Sequence, residues 1–423
     1  MTHTVDLSVI IPALHEGPNL AVLLPELRRV LDTLGICYET LVVTRQPDQQ
    51  TQEAVGQSGG KLLEQSAPGY GGALLTGFAM ASGTYLLTMD ADLSHQPDLL
   101  PTLWLRRHKG EITIASRYVP GGSASMSATR YFLSRALNTF FRRGLDVPFR
   151  DMTSGFRLYK ASAVRGESFT ARTFAILPEI LVRGYAQGWK VQEVPFHYEP
   201  RQHGESKAQL IRFGIEYLKA FCLLWRARNS VESADYDDRA YDRRIVLRGY
   251  WQRLRFRYIT ELIAGEGPVL DVGCGSSRII GSLPSGSVAL DLLLGKLRYA
   301  RKFSKHLVQG SGFALPFADG SFPCVVCSQV IEHVPKNPRI LDELCRVVAP
   351  GGRLVLATPD CARWEWVITE KLYGLVTPGG YAHERISHCT RRELIVLFEE
   401  RGFALEETRL ILRRESILAF RKR

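Results

Sequence analysis

Residues 90–92 read Asp-Ala-Asp, and their spacing suggests a chemistry. In extended chain every second side chain points the same way, so Asp90 and Asp92 can both reach one ion. Hard cations such as Mg²⁺ or Mn²⁺ take carboxylate oxygens and usually share their shell with a substrate's phosphates. A second pair of acids lies in the other half of the chain. Asp271 is followed by Gly273 and Gly275, whose missing side chains admit a ligand close to the backbone. Asp291 comes about 20 residues on, the spacing at which a carboxylate binds a ribose. One place suits a metal-held phosphate and the other a nucleoside.

These residues need elements to hold them. The run 85–89 is apolar and too short for a helix of its own, so it reads as a buried strand. It delivers Asp90 and Asp92 to a carboxyl end, where α/β folds open their ligand crevice. Residues 5–20 read as strand, Pro-containing turn and a helix opening near Pro18. Glu16 there either holds a nucleotide's base or ribose or complements the helix N-terminus. YETLVVT (38–44) is a second buried strand. The stretch 69–83 is glycine-rich and then helical; its glycines either bring backbone to a phosphate or pack a tight turn. In the second half, 267–280 reads as strand, tight turn and helix, and VALD (288–291) as a strand ending on its acid.

A chain of 423 residues suggests two domains or three. Its net charge of +11 favours an anionic partner: nucleic acid, a lipid surface or a phosphorylated substrate. The longest uncharged run, 65–89, contains Pro68 and five glycines, so it does not read as a membrane span. The amino terminus lacks a basic start and a cleavage site, and no signal peptide is expected. Eight cysteines without a regular framework fit reduced thiols. Cys324 and Cys327 lie in the apolar run FPCVVCSQVI, a buried strand rather than half a zinc site. Residues 206–228 form a helix with Arg212, Lys219, Arg226 and Arg228 among apolar residues. It either lies in a membrane interface or packs between domains. Residues 229–244 are polar and charged and read as a linker.

The motifs around Asp90 and Asp92 have a family's order: SVIIPALHE (8–16), GYGGALLTGFAMASG (69–83), DADLSHQPD (90–98), IASRYVPGG (114–122), DMTSGFRLY (151–159) and VPFHYEPRQHGESK (194–207). Together they resemble the family-2 glycosyltransferases of the A-type fold, in their dolichol-phosphate mannosyltransferase-like branch. The resemblance implies that Asp90 and Asp92 hold Mg²⁺ or Mn²⁺ on the diphosphate of a nucleotide sugar, and that Asp151 and Arg117 join them as catalytic residues. Pro12, Glu16 and Asp48 would bind the donor, the two acids at its nucleoside. Arg117, Arg130, Arg201, Ser206 and Lys207 would surround the donor diphosphate and an acceptor phosphate, since guanidinium forks match phosphate geometry. Asp151 and Arg157 would lie near the acceptor, unless they form a structural pair. The family's acceptor is a polyprenyl phosphate. A phosphate is already anionic, so positioning and charge stabilisation can carry an inverting in-line attack. Where the family usually has two acids after its second strand, this chain has Thr44 and Arg45 and keeps Asp48, which leaves GDP-mannose and UDP-glucose both open.

The second half carries GPVLDVGCGSSRII (267–280), ALPFADGSF (314–322), VVCSQVIEHVP (325–335) and ELCRVVAPGGRLVLATPD (343–360), with 387–403 fitting a terminal portion. This order resembles the class I S-adenosylmethionine-dependent methyltransferases. Asp271, Gly273 and Gly275 would border the cofactor's methionine part, Asp291 would take the ribose hydroxyls, and Gln329 to His333 would line the methyl-transfer side. Ser311 stands where an acid usually meets the adenine, and Pro323 where an aspartate is usual.

The expected chain is therefore two α/β domains: an A-type nucleotide-sugar glycosyltransferase fold over 1–228, a linker over 229–244 and a Rossmann-like class I methyltransferase fold over 245–423. The expected enzyme works on a polyprenyl phosphate as a cytoplasmic protein, peripheral at the inner membrane face through its basic helix, with no nucleic-acid partner. The alternative is a glycosyltransferase with a soluble or protein acceptor and a catalytically weak or structural methyltransferase-like module.

Overall fold

Leu7–Pro12 (β1) and Tyr38–Thr44 (β2) are largely apolar because the sheet they enter is covered on both faces. Alternation divides their side chains. Ile10, Leu41 and Val43 join Leu74, Phe78 and Ile180 in one core, while Val9, Ile11 and Val42 join Leu20, Leu24 and Leu27 in another. The computed structural model describes residues 4–199, 210–242, 246–304, 306–335, 337–366 and 387–423. The chain forms two units, Met1–Tyr185 with Trp189–Trp225, and Ala186–Gly188 with Arg226–Arg423.

The other strands of the first unit are Lys61–Glu64 (β3), Tyr85–Thr88 (β4), Ile112–Ser116 (β5), Ser123–Ala124 (β6), Arg157–Lys160 (β7), Val191–Pro195 (β8) and His197–Tyr198 (β9). Five of them join β1 and β2 in a mixed sheet of seven, in the order β3-β2-β1-β4-β7-β5-β8, with β7 antiparallel to both its neighbours. The chain runs from β1 outward to β3, then returns to place β4 on the other side of β1. That reversal is a topological switch point, and Asp90 follows β4 at its carboxyl end. The uncharged run 65–89 resolves into the helix Gly69–Met80 and β4.

In the second unit the strands are Val269–Val272 (β10), Val288–Asp291 (β11), Leu307–Gln309 (β12), Phe322–Ser328 (β13), Val348–Pro359 (β14), Phe403–Ile411 (β15) and Glu415–Lys422 (β16). Their order is β12-β11-β10-β13-β14-β16-β15, parallel as far as β14 and antiparallel beyond it. Cys324 and Cys327 are buried in β13 on opposite faces, and burial raises both thiols. Pro323 falls where the register against β14 shifts, so its missing N–H costs the ladder nothing.

The stretch 229–244, read from its charge as a linker, is in part a built element. It holds the helix Tyr236–Asp242, in which Tyr236, Asp238 and Ala240 are buried. Asp235, Asp237 and Asp238 in it meet cations. Asp235 takes both Arg228 Nη atoms, at 2.5 and 2.7 Å, and the Arg228 side chain is fully buried. Asp238 accepts from Arg278, Tyr299 and Lys302. Removing one partner of a buried pair strands the other charge. Asp235→Ala is therefore expected to lower stability by about 3 kcal/mol in urea unfolding. Asp242→Ala, whose carboxylate is 68% exposed, should cost under about 1 kcal/mol. Equal losses would show that the Arg228 pair behaves like a surface contact.

Candidate functional site

Asp90 and Asp92 leave β4 in a turn that holds each by its own donor. Tyr70, near the start of the helix Gly69–Met80, donates its hydroxyl to Asp90 Oδ1 at 2.9 Å. Gly155 makes room for this bond, since a Cβ there would lie 2.6 Å from the Tyr70 oxygen and 3.1 Å from Asp90 Oδ1. Asp92 Oδ1 accepts from the Ser94 hydroxyl at 2.5 Å and the Ser94 N–H at 3.2 Å. His95 fixes the turn from beneath: its Nδ1 accepts the Asp90 N–H at 2.8 Å, and its ring stacks on Phe156. Burial drives the His95 pKa down against the pull of both acids, so the ring is a neutral acceptor there. Sequence reasoning took 69–83 as backbone and passed over Tyr70 and His95. The signal for His95 was its place inside DADLSHQPD. The glycines at the start of that helix turn out to pack, since a Cβ on Gly71 would lie 2.6 Å from the Ala171 carbonyl oxygen.

Arg117 follows β5 and is pinned by Asp151. Its Nε and Nη2 donate to the two carboxylate oxygens at 2.8 and 2.7 Å, and its backbone N–H adds a third bond at 3.0 Å. Asp151 is fully buried and also accepts the Ser154 N–H at 3.0 Å. Burial alone would raise its carboxyl; the Arg117 guanidinium outweighs it and holds the group below the usual range. Asp151, expected among the catalytic residues near the acceptor, is thus enclosed with both carboxylate oxygens on Arg117. Arg157, expected at a phosphate, is fully buried too, with its Nη atoms on the carbonyls of Leu177 and Met152 at 2.7 and 2.6 Å. The structural Asp–Arg pair exists, but its arginine is Arg117.

Tyr198 at the end of β9 gathers the remaining charges. Burial raises its hydroxyl, Asp92 and Asp90 add to the rise, and Arg130 and Arg117 oppose it. Arg130, exposed in the first turn of the helix Ala128–Leu145, thus acts electrostatically on the same hydroxyl as the two acids. On the other side Pro12 ends β1, which lies beside β4. Asn19 donates to Glu16 at 2.6 Å. Asp48 caps the helix Gln49–Ser58 by accepting the Thr51 N–H at 2.7 Å, while its second oxygen lies 3.6 Å from His15. Thr44 is buried and Arg45 exposed. Arg201, Ser206 and Lys207 lie outside the described residues. No cluster of three or more metal-ligating side chains occurs among the described residues. Two carboxylates at this spacing fit a hard cation that takes its other ligands from phosphate and water.

The second unit builds a different site. Asp271 is buried in β10, and Asp291 ends β11. Gly273 and Gly275 have φ of 71° and 56°. The Gly275 N–H donates to Asp291 Oδ2 and the Leu293 N–H to Oδ1, both at 2.8 Å. Gln329 has φ 58° at the end of β13, and its Nε2 is buried without a hydrogen-bond partner among the described residues. His333 is half-buried and closes the following turn through its N–H to the Val330 carbonyl at 2.9 Å. Ser311, in the adenine acid's place, accepts the Phe313 N–H at 3.2 Å. An acid-lined glycine turn with an unsatisfied amide opposite fits S-adenosylmethionine, a nucleoside with a cationic arm. Burial, then Asp291, raises the Asp271 carboxyl to about 7.

The family model of glycosyl transferase family 2 matches residues 8–166, and a methyltransferase domain model matches 270–356. A dolichol-phosphate mannosyltransferase of Pyrococcus furiosus is 34% identical over 209 residues, covering 47% of this chain and 58% of that protein. The chain thus spans under two thirds of that relative. An undecaprenyl-phosphate mannosyltransferase of Micrococcus luteus is 30% identical over 210 residues, 47% of this chain and 85% of the relative. Among solved structures, glucosyl-3-phosphoglycerate synthase of Mycobacterium tuberculosis with Mn²⁺ and UDP aligns at 17% identity, covering 52% of this chain and 79% of that one, with a TM-score of 0.41.

The Asp271 shift has a sign in pH. The folded chain holds a proton that the unfolded chain releases near pH 4, so stability present below that pH is lost as pH rises through about 7. Asp271→Asn should abolish this loss, gaining on the order of 3 kcal/mol over wild type at pH 8 and little at pH 4. Urea unfolding at the two pH values checks it; parallel curves would mean an Asp271 that ionises normally.

Proposed function

We propose, for a chain that belongs to glycosyl transferase family 2 and carries a methyltransferase domain behind it, that the first unit moves a hexosyl group from a nucleotide sugar to a polyprenyl phosphate. The observation that carries this reading is Asp90 and Asp92 held at the switch point, with Arg117 5.8 Å from the centre of the Tyr198 ring and the charges of Arg130 and both acids acting on the Tyr198 hydroxyl. The acceptor phosphate oxygen attacks the anomeric carbon as the bond to the donor diphosphate breaks, with inversion, and the electron pair leaves on the nucleoside diphosphate. No proton has to move. Arg117, locked by Asp151, and Arg130 present guanidinium groups to the phosphates. A divalent cation bound at Asp90 and Asp92 supplies further charge stabilisation to the leaving diphosphate. The relatives' names favour a mannosyl donor over a glucosyl one.

The membrane surface is part of this reading. No helix among the described residues is long and apolar enough to cross a membrane. The helices Ala128–Leu145 and Leu210–Asn229 touch through Phe140 and Phe221, ring centroids 4.5 Å apart. They leave Phe132, Leu133, Phe140, Ile215, Leu218 and Leu223 exposed, with Arg130, Arg135, Arg143 and Lys219 beside them. Apolar side chains among basic ones suit the interface of an anionic leaflet. The second unit, with S-adenosylmethionine bound, methylates an acceptor, and the sugar-lipid product is the candidate that the fusion supplies.

Labelled nucleotide sugars offered with a short polyprenyl phosphate and Mn²⁺ should move label into the organic phase. Asp92→Asn or a chelator should cut the rate on the order of a hundredfold. Transfer that survives both would remove the metal from the reading, and no transfer from any donor would remove the acceptor. Flotation with anionic liposomes tests the surface: Phe132→Asp should lower binding roughly tenfold. Protein that stays at the bottom in wild type would favour a soluble acceptor.

A further inference from the structure

The helix Tyr236–Asp242 reaches the glycine turn after β10 through one carboxylate. Asp237 Oδ2 accepts the Ser276 N–H at 3.1 Å and the Ser276 hydroxyl at 3.3 Å, and the Asp237 N–H donates back to Ser276 Oγ at 3.2 Å. The same oxygen accepts from Lys296 Nζ at 2.8 Å, and Lys296 is only 4% exposed. Lys296 stands on the helix Leu294–Ala300 that follows Asp291. Asp237 therefore braces the loop after β10 and the helix that follows β11, the two elements that flank the nucleoside site. Gly275 is shaped for this contact, because a Cβ there would come within 2.4 Å of Asp237 Oδ2. The rest of the segment is anchored around that point by the buried Arg228–Asp235 pair and by Asp238 on Arg278, Tyr299 and Lys302. None of this segment falls within the 270–356 that match a methyltransferase domain.

We propose that Asp237 is a positioning residue of the cofactor site, and that residues 235–242 form a strap whose seating and cofactor binding are one equilibrium. The inference rests on the reading of the second unit as an S-adenosylmethionine binder. The physical reason is reciprocity. Asp237 holds the Gly275–Ser276 backbone in one geometry, and any ligand that needs that geometry stabilises the strap in return. The charge also points this way. Asp237, Asp271 and Asp291 lie close enough to act on the Cys274 thiol together, against Lys296, so the turn favours the cofactor's cationic arm.

Calorimetry with S-adenosylmethionine on the full chain, wild type against Asp237→Asn and Asp242→Asn, tests it. Asp237→Asn is nearly isosteric and should weaken binding roughly tenfold or more, the scale of a charged hydrogen bond. Asp242→Asn, at the exposed end of the strap and away from the turn, should weaken binding by less than Asp237→Asn does. In wild type, saturating cofactor should slow amide exchange over 235–242 as well as over 273–276; this needs no variant and holds if Asp237→Asn misfolds. Wild type that binds while Asp237→Asn binds as tightly or more tightly overturns the inference and leaves the cofactor reading standing. So does protection confined to 273–276. Wild type with no heat and no protection removes the cofactor reading and the inference with it.

Discussion

Arg117 and Asp151 hold the first unit's site in register. Their bidentate contact closes with Asp151 wholly out of water, where a charge-assisted pair is strong and a broken one is costly. Around it the chain is tied in three directions. The Arg117 backbone comes in from the end of β5, Thr153 and Ser154 from the turn before β7, and Asn138, through Thr153, from the long helix that also carries Arg130. The turn that Asp151 organises contains Gly155, and Gly155 is what lets Tyr70 reach Asp90. The metal-suited acids are thus positioned in part by a carboxylate that is itself wholly buried.

The second unit handles charge the other way. Asp271 and Asp291 stand near each other, and burial, then the charge of Asp291, raises Asp271. Lys296, the cation in reach, is engaged by Asp237. One unit cancels its buried acid to present a rigid arginine. The other keeps acidic character around a nucleoside-sized turn.

Strands were legible because a short apolar run bounded by turn residues has few alternatives; Tyr38–Thr44 and Val288–Asp291 stand where they were expected. Asp90 and Asp92 were legible as residues that follow a strand, because a short apolar run leads into them. Asp151 and Arg157 were not, since a motif names a residue type and leaves its exposure open, and both proved fully enclosed. The segment 229–244 misled for a related reason. Composition counts carboxylates without telling whether each faces water or a guanidinium, and Asp235, Asp237 and Asp238 face cations. Tyr70 was hidden by its neighbours, a glycine-rich start read for what its glycines do.

The exposed face of the helix Leu210–Asn229 also carries a sulfur. Cys222 is exposed beside Leu223, whereas Cys274, Cys324, Cys327 and Cys345 are buried and their thiols raised by burial. An alkylating reagent in water attacks accessible thiolates first, so Cys222 and Cys37 react ahead of those four. The native chain therefore comes with a reporter on the very surface where lipid is expected. How fast Cys222 is labelled measures how wet that surface is, with no probe engineered in.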